Sequence, residues 1–412
     1  MTTTPDARLS VIIPTYNRRD LLRQTLESLA GQRFRPDDFE VIVADDGSSD
    51  GSAKVAQSFS GRLRLRYHFQ EDLGFRVAAA RNAGARLATA PVLAFLDTGT
   101  AAGPDFVAGH LAAHGERPGG RAVIGYCYGY RPFDEHGWLS AAVAAVGPAE
   151  TVRRHRGSPA LADTRHAEFE RAGFDAGRMA APWFFFWSMN CSVAAEAFWR
   201  VGGFDEGYRS WGTEDTELGY RLFHCGTRFG LSREAWTLEL PHGRRSKGNR
   251  HSLMRNARYF LRKHPDPIVE ITRDAFGHPD LGLVEAGAAA LAGWARQARD
   301  LDIVPELEKA AQDIPPGAAV AVFGCGRSAP PALPPCVLTD FDEHLLAMAL
   351  SDGRHTGWHA LGLRTPLPAQ SADVVILTGR LAGLWDRWGD LLTAEAQRVG
   401  RHVRGPFPGL GN

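Results

Sequence analysis

Residues 9–50 read LSVIIPTYNRRDLLRQTLESLAGQRFRPDDFEVIVADDGSSD. LSVIIPTYN (9–17) and FEVIVADDGSSD (39–50) are short β-branched apolar runs ending in polar turn residues, and the amphipathic LLRQTLESLAGQ (21–32) lies between them. Strand-length apolar runs flanking a helix-period segment predict a β-α-β unit. The pattern continues outward with RLRLRYHF (62–69) as a third strand, RVAAARNAGARLA (76–88) as a helix and PVLAFLD (91–97) as a fourth strand. Such alternation gives an α/β domain with a Rossmann-like, doubly wound, mostly parallel sheet, whose ligand lies beyond the carboxyl ends of the strands. Thr15, Asp45, Asp46 and Asp97 all fall at those ends, so one cleft can collect them.

Between residues 120 and 260 the alternation loosens. AVIGYCYGY (122–130) reads as a strand, and APWFFFWSMNCSV (181–193) is rich in aromatic residues. WFFFW (183–187) is expected to be a buried strand, with a sugar-stacking platform as the functional alternative. EAGAAALAGWARQARDLDIVPELEKAAQDI (285–314) reads as a helical linker. Beyond it, AVAVFGCGRS (319–328) is a strand running into a Gly-rich turn, followed by CVLTDFDEHLLAMAL (336–350) and SADVVILTGRL (371–381), which make a second, small α/β unit. The expected organisation is a first domain over 1–265, a helical linker over 266–315 and a C-terminal α/β domain over 316–412.

Apolar residues make up 44% of the 412-residue chain and charged residues 23%, the balance of an ordinary globular protein. Lys plus Arg equal Asp plus Glu at 47 each, which argues against nucleic acid or a membrane surface as a global partner. MTTTPDAR carries no basic-then-apolar leader, and no apolar run approaches the ~20 residues of a bilayer span, so a cytoplasmic location without a membrane span is expected. The five cysteines are scattered without a CxxC pair, which indicates neither a disulfide framework nor a zinc site.

LSVIIPTYNR, VIVADDGSSDGS, GFRVAAARNAGARLA, VLAFLDTGT and FDEGYRSWGTEDTELGYRLF follow one another within residues 8–260. In that order they resemble the inverting nucleotide-sugar glycosyltransferases of the GT-A fold, family 2, and the last segment looks like a galactosyltransferase-type motif. The resemblance implies transfer of a hexose, glucose foremost, from a UDP-sugar to a hydroxyl of a small soluble acceptor, with an aminocyclitol natural product among the candidates. A glycan or capsule glycosyltransferase and a non-catalytic nucleotide-sugar-binding protein are the alternatives.

Each motif also has a physical reading. Asp46 can accept a hydrogen bond from the uracil N3–H, with Pro14, Thr15 and Tyr16 shaping the base and ribose pocket and Asp45 available to the ribose. The bland alternative for DDGSSDGS is an Asx-turn and helix cap. Arg81 is expected on the base or diphosphate, or else in an exposed ion pair. Inverting transfer needs one carboxylate to take the acceptor's proton; by resemblance Asp215 is that base and Glu214 hydrogen-bonds acceptor or sugar hydroxyls. Capping of the following helix is the structural alternative. Trp211 can pack the apolar face of an acceptor sugar.

The family's Asp-x-Asp, which chelates Mn²⁺ or Mg²⁺ against the diphosphate, reads Asp97-Thr98-Gly99 here. Asp97 keeps the first carboxylate and Gly99 removes the second; Thr98 adds a neutral oxygen to the donor site. His242 stands where related enzymes place a histidine that completes the metal site. Three readings stay open: Asp97 and His242 hold a divalent cation alone, the cations Arg244, Arg245, Lys247 and Arg250 replace it as a closing loop, or the protein is a pseudoenzyme. In the C-terminal unit, AVFGCGRS with Asp340 and Asp342 resembles the first half of a Rossmann-type S-adenosylmethionine methyltransferase, truncated. The chain stops early for that family, so a relic used for packing or for a homodimer is expected rather than S-adenosylmethionine binding.

Overall fold

The β-α-β start is present in the computed structural model, which describes residues 7–115, 120–131, 137–242, 246–276, 278 and 280–410. Strand β1 (Leu9–Thr15) pairs in parallel with β2 (Phe39–Asp45), from Leu9 opposite Phe39 to Thr15 opposite Asp45. Every residue of both strands is buried, as expected of strands covered on both faces. The intervening helix Arg19–Ala30 turns Leu22, Leu26 and Leu29 inward at helical spacing, against Leu9, Val11 and Ile13 of β1 and Val41 and Val43 of β2.

Strands β3 (Leu65–Phe69), β4 (Val92–Leu96), β5 (Thr100–Ala102), β6 (Arg121–Tyr128), β7 (Asn190–Ala194) and β8 (Arg228–Glu239) complete an eight-stranded sheet of order β3-β2-β1-β4-β7-β6-β8-β5. The β3-β2-β1-β4 half is parallel throughout. The other half mixes directions, because β7 is antiparallel to both β4 and β6, and β5 is antiparallel to β8. A tight turn at Asp97–Thr100 ends β4 and sends the chain straight into β5, without the helical crossover that a parallel neighbour requires.

WFFFW is not a strand. Pro182–Phe185 form a 3-10 turn in which Trp183, Phe184 and Phe185 are buried along with Phe186, and the strand begins only at Asn190. The expected burial holds for Trp183 to Phe186 but not for the partly exposed Trp187, and the expected backbone does not hold, because a short apolar run carries no period that separates strand from turn.

The chain divides into units Met1–Asn256 and Ala257–Asn412. In the second, β9 (Val320–Phe323), β10 (Val337–Asp340), β11 (Thr356–His359), β12 (Ala372–Leu377) and β13 (Gly400–Arg404) form a parallel sheet of order β11-β10-β9-β12-β13. The GRHVR segment near the C-terminus supplies its fifth strand. The segment 266–315, expected as a linker, is built into this unit. Ile271 and Ala298 belong to one of its cores, and Ile303 and Leu307 to another. The buried Glu270 carboxylate accepts backbone N–H groups from Leu361, Gly362, Leu363 and Arg364 at 2.6–3.1 Å.

The Gly-x-Gly turn after β9 is filled by the chain itself. Asp340, at the end of β10, is fully buried and accepts the Gly326 N–H at 2.8 Å and the Arg380 Nε–H at 2.7 Å. Arg380 is equally buried, with its guanidinium over the Phe341 ring. Among the described residues, no helix is long and apolar enough to cross a membrane.

Candidate active site

β1 pairs in parallel with β2, aligning Thr15 with Asp45, and on its other side with β4, which brings the Asp97 turn beside β1, where Thr98 Oγ1 donates to the Pro14 carbonyl at 2.8 Å. Gly99 sits at φ +96°, and the Thr100 N–H closes the turn on the Asp97 carbonyl at 3.1 Å. This left-handed position favours glycine, which gives the lost second carboxylate a backbone reason. A Cβ at residue 99 would lie 3.7 Å from Nδ1 of His242. Thus the imidazole stands beside the place where the family's second aspartate would project.

His242 Nδ1 donates to the Leu240 carbonyl at 2.8 Å, since a carbonyl can only accept. The ring nitrogen left with a lone pair is Nε2, and burial lowers the imidazole's pKa, which favours the neutral, ligating form. Asp97 is 39% exposed at its side chain, and one of its oxygens is paired to Arg81. Among the described residues, no three His, Cys, Asp or Glu side chains gather as a metal cluster. Asp97 and His242 nonetheless fit a divalent cation of the Mn²⁺ or Mg²⁺ kind, which takes one or two protein ligands and completes its shell with phosphate and water. Arg244, Arg245 and the Lys247 side chain lie outside the described residues; Arg250 is exposed on helix Ser246–Lys263.

Arg81 does not have the exposed position expected of a diphosphate ligand or surface ion pair. It comes from helix Val77–Leu87, is 2% exposed, and donates to Asp97 Oδ1 at 2.8 Å and to Glu214 Oε1 at 2.9 Å. Its guanidinium also packs over the Phe204 ring. Burial works against the cation, but the charges of Asp97 and Glu214 outweigh it and raise its pKa. Arg81 therefore clamps the two acidic motifs together from beneath.

Glu214 and Asp215 open helix Glu214–His224, and the residue before them, Thr213, sits at φ +73°. A β-branched residue in the left-handed region is strained, and such strain concentrates at functional sites. Glu214 is buried, and its second oxygen, Oε2, has no hydrogen-bond partner. Burial, and next the charge of Asp215, push its carboxyl up to about 7. Asp215 is half-buried; Ser188 donates to its Oδ2 from N–H at 3.0 Å and from Oγ at 3.3 Å. Burial also raises the Asp215 carboxyl. Its Oδ1 accepts the Thr216 N–H at 2.8 Å within the first turn, while the N-cap position is Thr213, which makes no side-chain cap hydrogen bond, so the capping alternative weighed from the sequence is not what holds the acidic pair. Ser188 was not singled out from the sequence, and only its adjacency to WFFFW hinted at it.

At the nucleotide end, Asp46 accepts the Gln70 amide at 2.6 Å and the Arg76 N–H at 2.8 Å. Tyr16, 45% exposed, donates to Asp72 at 2.8 Å, and the buried Thr15 Oγ1 has no hydrogen-bond partner. Asp45 differs from its expected ribose role. It is fully buried, with Oδ1 taking the Gly47 and Ser48 N–H groups and Oδ2 taking the Tyr67 hydroxyl at 2.7 Å. It shapes the loop that carries Asp46. Gly47 permits this loop by its φ of +97°, and a Cβ there would meet the Asp72 backbone at 2.5 Å. Trp211, half-buried, precedes the acidic pair, and its carbonyl and those of Ser210 and Gly212 accept the Asn256 amide.

Residues 10–193 match glycosyl transferase family 2, and residues 172–242 match the N-terminal domain of galactosyltransferase. The chain is 46% identical over 407 residues to the validoxylamine A glucosyltransferase of Streptomyces hygroscopicus subsp. limoneus, covering 97% of this chain and 90% of that one. Identity is again 46% to the validoxylamine A glucosyltransferase of Streptomyces hygroscopicus subsp. jinggangensis (strain 5008), covering 97% of this chain and 96% of that one. Among solved structures, the mannosyltransferase PcManGT from Pyrobaculum calidifontis in complex with GDP-Man and Mn2+ aligns with a TM-score of 0.44 and 20% identity, over 75% of this chain and 81% of that one.

Proposed function

The chain belongs to glycosyl transferase family 2, and from that premise we propose an inverting glucosyltransferase that moves glucose from UDP-glucose to a hydroxyl of validoxylamine A or an acceptor closely like it. The acceptor is taken from the two relatives, whose lengths the chain spans almost fully. The observation that carries the reaction type is the half-buried Asp215 carboxylate, held by Ser188 at the start of a helix, beside a Glu214–Arg81–Asp97 bridge.

In this reading Asp215 accepts the proton of the acceptor hydroxyl as that oxygen bonds to the anomeric carbon. The bond from that carbon to the diphosphate oxygen breaks on the opposite face, and UDP leaves with the electron pair. Glu214 and Arg81 hold the acidic pair in place; Asp46, Thr15 and Tyr16 line the base and ribose end, with Pro14 and Thr98 fixing the turn beside them. Asp97 and His242 would hold a divalent cation, which supplies positive charge to the diphosphate as it departs. Arg380, seated in the Gly-x-Gly turn of the second unit, favours a structural role for that unit without S-adenosylmethionine.

The experiment is product formation from UDP-glucose and validoxylamine A by wild type and Asp215→Asn, with and without a chelator. The expected result is transfer with inversion by wild type and weaker donor binding once the metal is removed. Asp215→Asn should lose roughly 10²–10⁴-fold in kcat while keeping its affinity for UDP-glucose. Equal turnover by the two proteins removes Asp215 from the role of base.

A further inference from the structure

The structure assigns Trp187, backed by Tyr130, as the platform on which the acceptor ring lies, an inference that rests on the transferase reading above. Of the WFFFW aromatics, Trp183, Phe184 and Phe185, with the following Phe186, point into the core, and Trp187 alone is partly exposed. The next residue in the chain is Ser188, which holds Asp215 through N–H and Oγ. A base must stand within hydrogen-bond reach of the hydroxyl it deprotonates, and adjacent Cα atoms are ~3.8 Å apart. Hence the Trp187 backbone lies within roughly 8–9 Å of the reacting hydroxyl, a span that an indole side chain can cover.

The indole is built to hold one pose. Its Nε1–H donates to the Phe184 carbonyl at 2.9 Å, and its ring lies 5.6 Å from that of Tyr130, which is also partly exposed. The Arg165 guanidinium approaches to 4.9 Å from the ring centroid. This cation is fully buried and locked to Asp163 and to the Phe185 and Gly125 carbonyls. A fixed aromatic face suits a hydroxylated ring, whose axial C–H groups form an apolar face while its hydroxyls stay free to meet Asp215. Trp187 is thus a specificity-determining residue on the acceptor side, distinct from Trp211 upstream of the acidic pair.

The test is steady-state kinetics of Trp187→Ala, Trp187→Leu and Trp187→Phe with UDP-glucose and validoxylamine A, together with calorimetric UDP affinity. Trp187→Ala is expected to raise acceptor KM about tenfold, the worth of one aromatic stacking contact. The KM for UDP-glucose and the UDP affinity should stay at wild-type values, and Trp187→Phe should recover most of the loss. Leu and Phe both fill the site, but only Phe offers a ring face; their comparison reads the same effect if the alanine variant does not fold. Acceptor KM indifferent to all three changes, or a rise in donor KM instead, overturns the assignment. A wild type that transfers glucose to no hydroxylated ring overturns the function reading, and this inference with it.

Discussion

Burial raises the Glu214 carboxyl to about 7 from a usual 4.5, and the neighbouring Asp215 charge adds to the shift. Between those two values the folded chain binds a proton that the unfolded chain has released. The stability linked to Glu214 is therefore full below about pH 4.5 and falls as pH rises through 7. Glu214→Gln removes this titration. Melting of both proteins from pH 5 to 8 should show wild type losing ground against Glu214→Gln as pH rises, by on the order of a few kcal/mol. A constant difference across that range would rule the shift out. The acidic motifs were legible in the sequence because their residue types and order carry the chemistry. What Arg81 and Asp45 do was not legible: one cross-links Asp97 to Glu214, the other is saturated by Gly47, Ser48 and Tyr67. Those partners are chosen by packing among segments far apart in the chain.

Helix Pro267–Ala275 lies in the segment expected as a helical linker and contributes Ile271 to a core of the second unit. Its amphipathic pattern gives the helix, but nothing local announces that Glu270 will receive four backbone N–H groups from the loop after β11. Those donors converge on two carboxyl oxygens, and an amide offers one oxygen and two further N–H groups that face the same donors. Glu270→Gln is accordingly expected to cost about 2–4 kcal/mol of stability, visible as an earlier urea transition in the full chain. An unchanged transition would return the segment to linker status. The 3-10 turn at Pro182–Phe185 is a second case, since apolar content fixes burial while Pro182 and the absence of alternation leave the backbone open. The first four strands were placed to within a few residues: β1 and β2 are β-branched runs ending in turn residues, while β3 (LRYHF) and β4 (VLAFL) show as short runs on either side of a helix-length segment.

At the scale of the whole molecule, the parallel half of the first sheet and the parallel second sheet treat the carboxyl ends of their strands in opposite ways. The first sheet leaves Asp97, just past the end of β4, partly exposed, so a ligand can reach its carboxylate. The second fills the same topological place with Arg380, which satisfies Asp340 at 2.7 Å and 3.1 Å, both side chains being fully buried. The sequence showed the Gly-x-Gly turn and the acidic residue Asp340 that follow such strands, but not that Arg380, 40 residues on, closes them, since that meeting depends on β12 pairing with β9. A buried charge stripped of its partner is costly, so Arg380→Met should lose about 3–5 kcal/mol by exposing Asp340 to an uncompensated interior. The double variant Asp340→Asn with Arg380→Met removes both charges and should recover much of that loss. If the cleft is self-filled, S-adenosylmethionine at millimolar concentration will leave the melting temperature of wild type unchanged, because a ligand stabilises only the folded state that binds it. A clear upward shift would mean that Arg380 yields its place to a cofactor, and that the second unit has an activity of its own.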